Sequence, residues 1–342
     1  MHSGRTLSVK RGAAFPLPLF IPVYRPGFQQ SILGAWSGGP KIEACMVNAF
    51  FLYKDRQKKA MFKSGLTLAE YVGFNGLLCT DSGAFQGFER TLLLSNKTII
   101  AFQDMIGADI VAPLDLVTPP GDKRSVAEKK LDSTQKRVRD GLKIVQRSIL
   151  AGIQQGGRFM ELRQRSVREL VEMGVQYLGI GSLVPFFNRN HDLTFVGDVI
   201  RDARHAAGDK LPMHVYGAGD PLELPFMAQL GADIFDSSSY GHFANDGYYM
   251  TPYGALKEPG PVIAGEFSCP CPICAAADVN EIFGDVEKLT AHNLWTICDT
   301  VLRIRATLSG GGLESMLEDI LERHTAWFPN SALGSSWRAI HE

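Results

Sequence analysis

Eight short apolar runs, spread from Pro18 to Ser239, constrain the fold more than any other feature of this chain. They are "PLFIPVY", "IEACMVNAF", "GLLCTDSG", "DIVAPLDL", "ILAGIQQGG", "YLGIGSL", "MHVYGAG" and "DIFDSSS". None alternates cleanly between apolar and polar, and most end in Gly, Ser, Asp or Pro. That pattern predicts strands buried on both faces, as in a parallel sheet. Helical patterns lie between many of them. "SVAEKKLDSTQKRVRDGLKIVQRSI" carries Leu131, Val138, Leu142 and Val145 at helical spacing, with Ser125 as its expected N-cap. "MELRQRSVRELVEMG" is closed by Gly174, and "DPLELPFMAQLG" opens on Asp220 and Pro221. Eight strands with intervening helices predict an α/β fold, a (β/α)8 TIM-type barrel. A doubly wound sheet would call for a Gly-rich phosphate loop after the first strand, and "VYRPGFQQS" supplies none.

The barrel reading assigns residues 1–255 to a catalytic core. Residues 256–342, turn-rich and then helical, are expected to form a second part packed on it. Polar residues stand at the strand ends: Asp81 after "LLCT", Asp115 after "VAPL", Gln154 and Gln155 after "AGI", and Asp236 after "DIF". In a barrel these ends converge on one face, where active sites form. A carboxylate there is costly unless solvated or paired, and a lone one is often a helix cap. Three on three strands favour a catalytic site. Asp109 and Asp233, each in a "GADI" segment ahead of a strand, read as turn residues.

Half of the six cysteines crowd into "FSCPCPICAAA". Cys269, Cys271 and Cys274 give the spacing C-x-C-x2-C, and His292 follows in "LTAHNLW". Three thiolates and an imidazole suit tetrahedral Zn²⁺ and leave no position for water, so the site is expected to be structural. Asp278, Glu281 and His341 are alternative fourth ligands, and buried free thiols or a redox pair are the competing readings.

The net charge of −1 and 45% hydrophobic residues describe an ordinary globular chain. The sequence shows no run of about 18 apolar residues, and its N-terminus lacks the continuous apolar stretch of a signal peptide. A cytoplasmic location, in a host if the gene is phage-borne, and unpaired thiols follow as expectations. The basic runs at Arg56–Lys59 and Lys129–Arg139 read as solvated helix faces rather than as a nucleic-acid patch.

At this point the motifs resemble a family. "TDSGAFQGF" at Thr80–Phe88 resembles the "DSGGFQ" signature of tRNA-guanine transglycosylases, and "IQQGG" at Ile153–Gly157 resembles their "VQGG". "YLGIGSLVP", "HVYGAGDP", "GADIFDSSSY", "YYMTPYG", the C-x-C-x2-C loop and "AHNLW" follow in the family's order. The wording is closest to the archaeal-type branch. The resemblance implies a zinc-bearing barrel that exchanges guanine in a nucleic acid for a 7-deazaguanine such as 7-cyano-7-deazaguanine (preQ0). It implies Asp236 as nucleophile and Asp81 as general acid and base. Asp115, Gln155 and the backbone of Gly181 would read the base, Phe85 would stack on it, and Ser82 and Gly83 would line the pocket. The target nucleotide would have to be turned out of its helix or loop.

Ala84 stands where the signature has Gly, and the basic residues that follow the bacterial nucleophile strand have no counterpart. The chain also ends soon after "AHNLW" and its helix, without the tRNA-binding modules of the archaeal enzymes. On that ground the resemblance leans to the stand-alone DNA-guanine transglycosylases of phages and bacterial islands. DNA is thus the expected substrate and tRNA the alternative. A catalytically silent binding subunit is a third reading, disfavoured by the three aspartates. A homodimer is expected by the same resemblance.

Overall fold

A computed structural model describes residues 5–24, 36, 39–83 and 94–341. All eight apolar runs form strands: β1 Leu19–Pro22, β2 Ala44–Asn48, β3 Leu77–Asp81, β4 Ile110–Val111, β5 in two pieces (Ile149–Leu150 and Gly152–Gln154), β6 Leu178–Ile180, β7 Met213–Tyr216 and β8 Ile234–Ser237. β5 breaks at Ala151, whose N–H still bonds Val111 O, while Gly152 N–H turns to Tyr177 O. One strand thereby serves two sheets, β2-β3-β4-β5 and β5-β6-β7-β8-β1. The ring closes where Val23 bridges Met46 and Tyr24 N–H donates to Met46 O. Every barrel pairing is parallel, as the (β/α)8 reading requires.

Two apolar layers explain the unbroken hydrophobic runs. Leu19, Ile21, Ala44, Met46, Leu77, Cys79, Ile110, Ile153 and Ile234 fill the barrel interior. Their neighbours Phe20, Cys45, Val47, Leu78, Val111, Leu178, Val215 and Phe235 pack outward against helices. An N-terminal hairpin, Thr6–Ser8 paired with Ala14–Pro16, plugs one end with Leu7 and Val9.

Asp109 and Asp233 do more than turn the chain. Asp109 is buried, accepts Arg11 Nε–H at 2.7 Å and accepts Leu78 N–H at 3.0 Å. Asp233 pairs with Arg5 and Arg204 and accepts Met213 N–H at 2.9 Å. The two carboxylates latch the hairpin and the incoming strands, a long-range role that local sequence does not show. Ser125 is not a cap either: its helix runs Arg124–Leu142 with Lys123 at the N-cap and no side-chain cap bond.

After β8 come a helix (Ser239–Asn245), a hairpin (Tyr249–Thr251 with Gly254–Leu256) and three short helices, with Cys269 and Cys271 just before the second of them (Pro272–Ala276) and Cys274 within it. The 25-residue helix Val286–Gly310 then returns to pack on β1 and on the helix Leu224–Gln229. Asp285 caps its start, and Gly311 closes it in the left-handed region at φ +76°. Asn293 is fully buried there. It accepts Met250 N–H and donates to Tyr240 O and Tyr248 O, stitching the helix to the hairpin.

Candidate active site and metal centre

Side-chain parity decides what enters the barrel mouth. Asp81 shares the inward phase of Leu77 and Cys79, and Asp236 that of Ile234, so both carboxylates face the lumen at the C-terminal rim. Asn48 ends β2 in the same phase, opposite Asp81 in register, and donates Nδ2–H to Asp81 Oδ2 at 2.8 Å. Gly83 takes a left-handed φ of +83° and aims its N–H at Asp81 Oδ1, 3.2 Å away. Ser82 is fully buried, and its Oγ finds no hydrogen-bond partner among the described residues. Phe85 lies outside the described residues.

Burial pushes the Asp81 carboxyl up to about 6; the Gly83 bond opposes the rise and the nearby Asp236 charge adds to it. Burial likewise drives Asp115 up to about 7, helped by the charge of Asp81 and opposed by a hydrogen bond from Gln155. The three carboxylates are therefore close enough to feel one another. Tyr216 sits among them, its hydroxyl held far above its ordinary range by burial and by the charges of Asp236, Asp115 and Asp81. Its ring needs the space left by Gly179, where a Cβ would come within 2.4 Å of Tyr216 Cε2.

Asp236 is 6% exposed and accepts Gly217 N–H at 3.1 Å. His214 Nε2 lies 2.8 Å from Asp236 Oδ1, off the alignment of a hydrogen bond, and Tyr177 OH meets the other ring nitrogen at 2.9 Å. These contacts hold Asp236 Oδ1, and no hydrogen bond to Oδ2 occurs among the described residues.

Gln155 is fully buried and nearly spent on protein partners. Its Nε2–H donates to Asp115 at 2.6 Å, and its Oε1 accepts from Ser182 and Thr118 at 2.6 and 3.2 Å. One amide hydrogen stays uncommitted among the described residues. Gly181 donates its N–H to Gln154 O and accepts Arg163 at its carbonyl, so it backs Gln155 rather than presenting a free backbone edge. A Cβ at Gly181 would come within 2.9 Å of Gln155 Nε2.

Asn48, Tyr216, His214 and Arg163 escaped the sequence reading. Asn48 carried the same signal as the three aspartates, a polar residue ending an apolar strand. Arg163 was legible as a charge on the buried stripe Leu162–Ser166–Leu170. It is 1% exposed and has no carboxylate partner among the described residues, and burial lowers its pKa to about 9. Its guanidinium is satisfied by Gly157 O, Gln154 Oε1, Gly181 O and Ser182 O, which ties together the loops after β5 and β6.

The metal cluster gathers as the spacing suggests. Sγ of Cys269, Cys271 and Cys274 lie 3.7, 3.5 and 3.4 Å from His292 Nδ1. Zn–S bonds of about 2.3 Å and a Zn–N bond of about 2.0 Å at tetrahedral angles give about 3.5 Å for that separation. His292 Nε2 meets Met250 O at 2.9 Å, so the proton sits there and Nδ1 keeps its lone pair for metal. Tyr249 stacks on the His292 ring at 3.6 Å and reaches Cys274 Sγ with its hydroxyl. The four donors fit a closed structural Zn²⁺ site, and His292 is the fourth ligand rather than Asp278, Glu281 or His341.

Residues 4–326 match the family model described as queuine tRNA-ribosyltransferase. The chain belongs to that family. Among curated relatives it is similar to the tRNA-guanine(15) transglycosylase of Methanocaldococcus jannaschii, at 28% identity over 92% of this chain and 49% of the relative. The enzyme of the same name from Methanosarcina mazei is 30% identical over 90% of this chain and 62% of its own length. That from Pyrococcus furiosus is 32% identical over 82% and 48%. The transglycosylase family chain thus spans about half to two thirds of the curated relatives it matches. The archaeal-type wording of its motifs agrees with these matches.

Proposed function

We propose that this chain exchanges guanine in a nucleic acid for a 7-deazaguanine through a covalent Asp236 intermediate, with tRNA as the favoured substrate. The observation that carries it is the convergence of Asp81, Asp115 and Asp236 on one barrel mouth, each charge perturbing another. An Asp236 oxygen attacks C1′ of the turned-out nucleotide as the bond to N9 breaks, and the electron pair leaves with guanine. Asp81 gives its proton to the departing purine. The incoming base returns a proton to Asp81, and its nitrogen displaces Asp236 from C1′. Two inversions retain the sugar configuration. In this reading Asp115 and the uncommitted amide hydrogen of Gln155 hold the base, and Gly83 and Asn48 orient Asp81. Phe85 as stacking partner and Ser82 as pocket wall belong to the same proposal.

The preference for tRNA replaces the expected preference for DNA. The DNA reading rested on where the sequence stops, which says nothing about pocket chemistry. The relatives named for tRNA match along the barrel itself. Incubation with labelled guanine and either bulk tRNA or duplex DNA tests the choice. Label is expected in tRNA, with Asp236→Asn losing on the order of 10⁴-fold in rate. Label confined to DNA reverses the substrate. Label in neither, with tight nucleic-acid binding, supports the silent binding subunit instead.

A further inference from the structure

A cavity of about 650 Å³ opens beside the barrel mouth, walled by His191, Asp220, Glu223, Tyr248, Trp327 and Phe328. Gly217 and Gly219 form its inner edge, and Gly217 is the residue whose N–H holds Asp236. One wall is unusual in charge. Ligand atoms of His191, Asp220 and Glu223 lie within 4.8 Å of one another, and Glu223 is 4% exposed. No lysine or arginine pairs with Asp220 or Glu223 among the described residues; Glu223 has only His191 Nδ1, at 2.8 Å. Two carboxylates with one imidazole, half-buried to buried, form a cation-poor cluster.

A second, independent feature points at a ligand. His324 packs its ring edge-on against His191 at 5.4 Å and is 1% exposed. Its Nδ1 meets Tyr253 O at 2.8 Å, a contact that places the proton on that nitrogen. The opposite nitrogen, Nε2, is therefore a lone pair, and it is buried with no hydrogen-bond partner. An unsatisfied acceptor in the interior is expensive, and a metal ion is one of the few partners that an imidazole lone pair accepts without a proton. His191 is one of two non-glycine residues at positive φ among the described residues, at +56°.

We infer that His191, Asp220 and Glu223 form a second metal site, for a borderline divalent cation of the Mn²⁺ or Zn²⁺ class, in the wall of this cavity, with the His324 ring packed beside it. Mixed imidazole and carboxylate donors suit such ions, whereas the cysteine cluster selects softer binding. The ion would neutralise the two carboxylates and place positive charge beside the turn that holds Asp236. Its side toward the cavity stays open to water or to an anionic oxygen. The site is independent of the base-exchange proposal and requires neither nucleic acid nor turnover.

The experiment uses full-length protein whose thiolate site is already filled with Zn²⁺, at pH 8, titrated with Mn²⁺ and followed by electron paramagnetic resonance. Mn²⁺ discriminates because it competes poorly for three thiolates. Wild type is expected to bind one Mn²⁺ per chain, and Glu223→Gln and Asp220→Asn each to weaken it at least 10-fold. His191→Gln, which removes the imidazole donor of the group, is expected to weaken it too. Zinc content and melting temperature confirm that each variant is folded, and a variant that does not fold is replaced by the next of the three. Absence of bound Mn²⁺ in wild type, with no second equivalent of Zn²⁺ by elemental analysis, overturns the inference. So does a bound equivalent that survives both carboxylate variants unchanged.

Discussion

Burial, helped by the Asp81 charge, raises the Asp115 carboxyl to about 7, so it changes charge near neutral pH rather than in the ordinary carboxylate range. Both mouth carboxyls have folded-state values above the unfolded one. Their contribution to stability is present below the unfolded value of about 4 and is lost as pH rises through about 6 and 7. The sign predicts that Asp115→Asn, which removes the charge and keeps the shape, stabilises the protein at pH 8 and does little at pH 4. About 1–2 kcal/mol is expected after discounting for the half-open mouth. Denaturant melts at the two pH values check it, and equal effects at both would contradict the burial of this carboxyl. If the ionised form holds the base, the KM for free guanine should rise as pH falls below 7, and that slope should vanish in Asp115→Asn. For Asp236, whose nearest partners are His214 and Gly217, denaturing gels should show wild type but not Asp236→Asn trapped on a substrate oligonucleotide.

At the scale of elements, the strands are placed by salt-bridged latches at one end and function at the other. Asp109 satisfies Leu78 N–H and Arg11 together, so β3 and the N-terminal hairpin share one carboxylate. Asp109→Ala leaves a buried N–H without a partner and frees the arginine. A loss of about 2–3 kcal/mol in unfolding free energy is expected, measured as a lower urea midpoint with an unchanged slope. Activity per folded molecule should persist, since the latch lies at the end of β3 away from Asp81. Arg163 is the corresponding device at the functional end. Its four carbonyl and amide acceptors come from the ends of two neighbouring strands and their loops, and no carboxylate among the described residues pairs with it.

For the whole molecule, the zinc-bearing part and the barrel share one core. Leu294, Ile297, Val301 and Ile304 of the helix Val286–Gly310 belong to the same apolar cluster as Phe20 and Phe235 of the barrel strands. We propose that parts 1–255 and 256–342 melt together. A small cluster of Ala244, Tyr249, Ile282 and Leu289 underlies the cysteine loop, and the metal is expected to hold the loop on it. Removing Zn²⁺ with a chelator, or replacing Cys271 with Ser, should lower the single melting temperature by about 6 °C. That is the effect of roughly 4 kcal/mol in a chain of this size. Two separated transitions in calorimetry would show that the parts unfold independently. None of the described helices is long and apolar enough to cross a membrane.

The sequence alone determined the number and order of the barrel strands, because runs buried on both faces leave an unmistakable apolar signature. It also determined the three cysteine ligands, because their spacing is local, and the three aspartates, because a charge ending an apolar strand stands out; His292 was chosen over Asp278, Glu281 and His341 only by the fold. Only the tertiary structure decided which way each side chain points and what it meets. Asp109 and Asp233 looked like turn residues since their partners, Arg11, Arg5 and Arg204, lie far away in the chain. Gly181 looked like a reading edge until Arg163 occupied its carbonyl. His191 and His324 meet across more than a hundred residues, and no local pattern announces them. Chain connectivity sets the strands, but contacts between residues distant in sequence are fixed only when the barrel closes.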